Sequence, residues 1–156
     1  TTNSLRDKYP YEPNSYYTSY EAFNDDRSTM YQAITGAVGR NIVTDPSFIY
    51  LIPSGTAVEN AHSSYMGDWD LHRDYGHASD YARPMTSYVW YCKLMGIEQL
   101  EDIKQDTIPV KWFRSNTGLQ DIQLTETEKN ILIESVNNSL KNPFEITQSQ
   151  YTVKPE

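Results

Sequence analysis

One stretch constrains this chain more than any other: Phe48-Ile49-Tyr50-Leu51-Ile52, its one unbroken apolar run, set between Asp45-Pro46 and Pro53-Ser54-Gly55. Short, continuous, rich in branched and aromatic residues and bounded by turn formers, it reads as a β-strand buried on both faces. Such a strand needs hydrogen-bonding neighbours at both edges, since a buried unpaired peptide group costs about 1–3 kcal/mol. The chain offers one further strand candidate, Ile108-Pro109-Val110-Lys111-Trp112-Phe113, and its proline confines that to an edge. Two strands alone make a marginal sheet in water. The expectation is therefore an α/β fold of which this chain is the later portion, with earlier strands upstream or in another chain. A mostly helical domain, in which the run is no strand, is the competing account.

Helical spacing surrounds the run. Met30, Ile34, Ala37 and Val38 recur at helical intervals up to Gly39, behind the capping side chains of Asn24, Asp25 and Asp26. This predicts a helix over about residues 26–38. Thr56 with Glu59 three residues later looks like a capping box opening a second helix. Met85, Tyr88, Val89, Cys92 and Met95 mark one face of a third, with Pro84 in its first turn and Gly96 at its stop. Thr125 and Glu128 form another capping box, ahead of Ile131, Leu132, Ser135, Val136 and Leu140, and Asn142-Pro143 ends that helix. Helix, buried strand, helix is the rhythm of an α/β sheet protein.

Residues 1–25 are polar and rich in tyrosine, as in Tyr9-Pro10-Tyr11-Glu12-Pro13, and show no sustained period. They read as an arm or loop, and residues 26–156 as the C-terminal portion of an α/β hydrolase-like domain. Two roles suit the arm's tyrosines: pinning an irregular segment onto the domain, and stacking on sugar rings in a cleft.

At 156 residues the chain holds one domain or part of one. Hydrophobic residues make up only 38%, low for a packed domain, and 13% aromatic content partly offsets this because each aromatic buries much area. A net charge of -8 argues against a nucleic-acid partner, which would call for a basic surplus. No run approaches the roughly 20 apolar residues of a membrane span. The lone cysteine, Cys92, allows no internal disulfide and falls in an apolar helical stripe, where it packs as a small hydrophobe. Beginning at Thr1 rather than Met, the chain reads as cut from something longer.

Chemistry concentrates in residues 66–79, an aperiodic stretch holding Asp68, Asp70, His72, Asp74 and His77. In Asp74-Tyr75-Gly76-His77 an acid and an imidazole stand three apart just before a helix. A carboxylate so placed can hold the ring, fix its tautomer and favour the imidazolium that forms when histidine takes a proton from a serine. Taken alone, such a tetrapeptide is far more often an ordinary turn, since Asp and Gly are common there. Asp70-Leu71-His72 competes for the same role, and the register to the following helix favours Asp74 and His77. Trp69 and Tyr75 flank the pair and are candidate substrate-binding residues, an apolar wall for a sugar or acyl group. Anchoring an otherwise polar loop is the commoner role for each of them. Two histidines among carboxylates suit zinc or a harder cation, yet no helical i, i+4 histidine pair exists and loop spacing sets no coordination geometry. No metal site is assigned. His62, in a predicted helix, reads as a surface or capping group.

In sequence order these residues resemble a family. Ile49-Tyr50-Leu51-Ile52-Pro53-Ser54-Gly55-Thr56-Ala57, then Asp74-Tyr75-Gly76-His77, then a helix holding Trp90-Tyr91-Cys92-Lys93-Leu94-Met95-Gly96, is similar to the C-terminal part of the SGNH (GDSL-like) hydrolases. The likeness is to a bacterial secreted branch, covers about residues 30–96, and extends to Met30-Tyr31-Gln32-Ala33-Ile34. It implies a three-layer α/β/α, flavodoxin-like sandwich on a mostly parallel sheet. It also implies a secreted or periplasmic location, and ester hydrolysis by a Ser-His-Asp triad without a cofactor. By that match Asp74 orients His77, and His77 deprotonates the serine. The serine and its oxyanion donors belong to earlier motifs that this sequence lacks, and neither Ser54 nor Ser63-Ser64 stands where the nucleophile would. The implied partners are the N-terminal half of the same domain and a small ester or carbohydrate substrate. The expectation is the C-terminal part of a serine esterase; the alternative is a catalytically silent carbohydrate-binding or interaction protein with the same fold.

Overall fold

The computed structural model describes residues 20–67, 71–74, 77–79, 81–103 and 124–156. Four helices dominate: α1 (Tyr20–Asn41), α2 (Ser54–His62), α3 (Ala82–Met95) and α4 (Glu126–Lys141). A short antiparallel pair, β1 (His72–Asp74) and β2 (His77–Ala78), lies between α2 and α3 in the chain. No described helix is long and apolar enough to cross a membrane.

The helix ends follow local chemistry. At the start of α4 the Thr125 hydroxyl accepts from the Glu128 N–H at 3.2 Å, and the Thr125 N–H donates to the Glu128 carboxylate at 2.7 Å. This reciprocal box satisfies two donors that a helix N-terminus leaves open. Ser79 caps α3, its hydroxyl accepting from the N–H groups of Tyr81 at 3.1 Å and Ala82 at 3.3 Å. Gly96 ends α3 in the left-handed region at φ 68°, which a side chain would make costly.

The core belongs to α2, α3 and α4, each of which packs on the other two. Met85, Val89 and Cys92 of α3 and Ile131, Leu132 and Val136 of α4 are fully buried, against the small Ala57 and Ala61 of α2. Met66, Leu71, Leu100 and Ile103 close the core from the connecting segments.

Side chains then complete backbone circuits that no sheet supplies. Asn137 clasps the Leu100 peptide from both sides, accepting from its N–H at 2.8 Å and donating to its carbonyl at 3.0 Å. The buried Asn60 donates to the Ser135 carbonyl at 3.3 Å and accepts from the Thr147 N–H at 2.7 Å. The Ser149 N–H donates to the Ser63 hydroxyl at 2.7 Å, and the Tyr65 N–H to the Tyr151 carbonyl at 2.9 Å. Residues 143–151 thus form a strap along α2 and α4. Gly67 is obligatory beside them, since a Cβ there would fall 1.9 Å from the His62 carbonyl oxygen.

This architecture corrects the expected three-layer α/β/α sandwich. The described residues are mostly helical, and the β1–β2 pair is their only sheet. Residues 48–52 form no strand: Phe48 and Tyr50 are exposed, Ile49 is 83% exposed, and only Leu51 and Ile52 are half-buried, Ile52 against the core. An apolar run becomes a strand only where neighbours take up its N–H and C=O groups, and among the described residues no such neighbour stands beside it. The other strand candidate, residues 108–113, lies outside the described residues.

Two helix starts also differ from expectation. α1 begins at Tyr20, well ahead of Asp26, and Asn24 sits inside it, accepting from the Arg27 guanidinium at 2.7 Å. α2 begins at Ser54 behind Pro53, with no side-chain cap. Thr56 lies inside this helix and donates to the distant Pro143 carbonyl at 2.6 Å instead.

Candidate functional site

The β1–β2 pair sits on the helical core. Leu71, fully buried, anchors its entry, and the Ser79 N–H donates to the Leu71 carbonyl at 3.0 Å to close the base. Ser79 then caps α3, so the pair is held between a buried leucine and a helix N-terminus. Within it His72 is the partner of Ala78, and Asp74 of His77. Two steps along β1 therefore match one along β2, and Arg73 is the extra residue of a bulge. The two candidate catalytic residues are direct backbone partners across this ladder. The structure describes the main chain at residues 72–74 and 77 and no more of them, while Trp69 and Tyr75, with Asp68 and Asp70, lie outside the described residues.

The other residues singled out by sequence have structural employment. Cys92 is fully buried in α3, and that burial pushes its thiol above the ordinary value of 9.0, away from the thiolate a nucleophile needs. His62 is the half-buried last residue of α2, its carbonyl facing Gly67. The Ser63 and Ser64 hydroxyls donate to the carbonyls of Asn60 at 2.6 Å and Ala61 at 2.7 Å, sealing the end of α2. Among the described residues no group of three or more His, Cys, Asp or Glu gathers as a cation site.

A second feature lies on the far side of α2, where α1 meets it through a polar seam. The Arg27 guanidinium pairs with the Glu59 carboxylate, both side chains being mostly buried. Further along, the Tyr31 and Thr56 hydroxyls are 3.1 Å apart. The Thr56 proton is committed to the Pro143 carbonyl, so Tyr31 is the donor and the relay runs Tyr31 to Thr56 to Pro143. Burial raises the Tyr31 hydroxyl above its ordinary 10.0, and the carboxylates of Glu59 and Glu145 push the same way.

Beside the seam opens a cavity of about 340 Å³. Ile34 and Val38 of α1, Leu51 and Ile52 of the apolar run, Val58 of α2 and Phe144 of the strap form its walls. The spacing of Met30, Ile34, Ala37 and Val38 predicted a helix, and this groove was missed. The signal was present: Arg27, Tyr31, Ile34 and Val38 also share one helical face by spacing, so that face carries polar groups at one end and aliphatic ones at the other.

Among known proteins, one family model, described as Domain of unknown function (DUF4886), matches residues 3–116. No curated protein matches the chain, and no solved structure does.

Proposed function

The chain belongs to the DUF4886 family, whose matched span takes in α1, α2, the β1–β2 pair and α3, and we propose that this domain takes part in ester hydrolysis, with His77 as base and Asp74 as its orienting acid. The observation that carries the reading is the register that pairs Asp74 with His77. Residues directly opposite in an antiparallel ladder have Cβ atoms about 4.5–5.5 Å apart, within reach of an acid–imidazole contact. The resemblance to SGNH hydrolases, in which an Asp-x-x-His step before a helix supplies these two roles, supports it.

In this reading His77 takes the proton of a serine hydroxyl as that oxygen attacks the ester carbonyl. It returns the proton to the departing alkoxide, then activates the water that releases the acid. Asp74 stays ionised, holds the ring and steadies the imidazolium. The serine and the oxyanion donors come from the N-terminal half of the domain. A small ester, such as an acetylated carbohydrate, is the substrate, which a secreted or periplasmic location suits. The chemistry requires no cofactor.

Turnover of an aryl acetate by the intact protein, together with labelling by a serine-directed fluorophosphonate, tests this. His77→Ala is expected to lower turnover about a thousandfold or more while the thermal melt stays in place. Unchanged turnover would remove His77 from the mechanism.

A binding or interaction role without catalysis is the second reading, favoured by the exposed aromatics Trp90 and Tyr91 on α3 and Phe48 and Tyr50 in the connection between α1 and α2. Absence of both turnover and labelling, with binding to a glycan retained, would select it.

A further inference from the structure

We infer that the cavity between α1, α2 and the strap is a binding site for a small neutral molecule, a linear aliphatic chain ending in a carbonyl group. The inference makes no use of ester hydrolysis and stands or falls apart from it.

The cavity has two ends of different chemistry. Ile34, Val38, Leu51, Val58 and Phe144 give it aliphatic and aromatic walls, which suit an unbranched hydrocarbon chain. Arg27 precedes Ile34 by about two turns of α1, so its ion pair with Glu59 marks the polar end. A volume of about 340 Å³ falls in the range of small-molecule sites, roughly 300–1,000 Å³.

That end holds an unmet donor. The Arg27 guanidinium gives one nitrogen to Glu59 and another to Asn24, while its Nε–H is buried and has no hydrogen-bond partner among the described residues. A buried N–H without an acceptor is costly, so an oxygen carried in by a ligand is favoured there. The neighbouring Tyr31 and Thr56 hydroxyls have their protons committed, and a single acceptor therefore satisfies what remains. Charge selects the kind of oxygen. Glu59 already neutralises Arg27. The Tyr31 hydroxyl, raised first by burial, is raised further by the carboxylates of Glu59 and Glu145, the mark of a negative field. A carboxylate head would be repelled by that field, whereas a carbonyl accepts the same hydrogen bond without charge.

Titration of the full chain with methyl alkyl ketones, from methyl butyl to methyl decyl ketone, tests this by NMR of isotope-labelled methionine methyl groups. Met30 lines the cavity, Met66 and Met85 are buried in the core, and Met95 is exposed at the end of α3. The expected result is a saturable shift at Met30 with Met95 unmoved, and an affinity that rises about threefold to fourfold per added methylene until the chain fills the groove. Equal shifts at Met30 and Met95 would show adsorption to any apolar surface. A Met30 shift that follows protein concentration in place of ketone would show a face between copies, and no shift at Met30 an unused cavity. Each of these overturns the proposal. Fatty acids of matched length should bind more weakly than the ketones; equal or tighter binding overturns the neutral head. Arg27→Lys keeps a cation for Glu59 and removes the Nε donor, and should weaken ketone binding about tenfold; unchanged affinity overturns the role of Arg27. Ile34→Trp acts from the exposed wall, where the core reported by Met66 and Met85 is not disturbed. It should abolish the Met30 response, and a response retained in full would place the ketone elsewhere and overturn the site. Loss of ester turnover, or its absence, affects none of these readouts.

Discussion

The trio α2–α4 and the α1 side of the molecule are built from similar residues and meet opposite fates. Met85, Val89 and Cys92 on α3, and Ile131, Leu132 and Val136 on α4, are fully buried. Met30 and Ile34, at the same helical spacing on α1, are more than half exposed. Helix formation does not separate the two, for α1 is the longest helix described. The number of partners does. Each helix of the trio meets two others, and the connecting segments seal the gaps with Met66, Leu71, Leu100 and Ile103. α1 meets α2 through Arg27–Glu59 and Tyr31–Thr56, a seam of polar contacts beside an open groove. An apolar stripe therefore defines a face, and burial follows only where a second face comes to meet it.

The comparison breaks first at its strongest point. Leu132→Ala empties space between α4 and its neighbours and is expected to cost about 2–5 kcal/mol in urea denaturation. A cost below about 1 kcal/mol would mean that the trio is not the core. Next, Asn60→Ala leaves the Thr147 N–H without its acceptor and loosens the strap from α2. A loss of about 1–3 kcal/mol is expected, with earlier protease cleavage in residues 143–156; cleavage there unchanged would show the strap to be held by other means.

The seam has a pH signature. Because the folded pKa of Tyr31 is raised, the unfolded chain gives up that proton first. The contribution is whole below the ordinary 10.0 and declines as pH rises through the folded value. Tyr31→Phe should therefore flatten the alkaline fall in stability relative to the parent; parallel curves would take Tyr31 out of the seam. The smallest effect belongs to Val43→Ala, just beyond α1, where the side chain is exposed. A change within about 0.5 kcal/mol is expected, and a cost near that of Leu132→Ala would erase the difference between the two regions.

Much of the trio was legible along the chain. The Thr125–Glu128 box, the stripe from Ile131 to Val136, Pro84 in the first turn of α3 and Gly96 at its end all stand as read. Met95, read onto one face with Val89 and Cys92, is instead 65% exposed, so the far end of that stripe leaves the core. Thr56 had the spacing of a cap and became a link to the strap, since the Pro143 carbonyl, far away in sequence, competes for its hydroxyl. Nothing in the spacing of Asn60 or Asn137 announced that each would clasp distant backbone. Of the candidate site, the three-residue step from Asp74 to His77 was readable, and the bulge that makes them partners across a ladder was not. A register depends on how β1 and β2 are tied down at Leu71 and Ser79, which are residues outside the motif.

By itself, then, the sequence determined local geometry: where α3 and α4 start and stop, which of their faces are apolar, and that an acid and an imidazole share one short connection. Caps, prolines and a left-handed glycine act within a turn or so, and that range lies inside any reading window. Tertiary structure alone decided that residues 48–52 form no strand, that α1 borders a groove rather than a core, and that asparagines and serines hold a strap in place. Burial and pairing belong to two surfaces together, and a single stretch of chain carries only one of them.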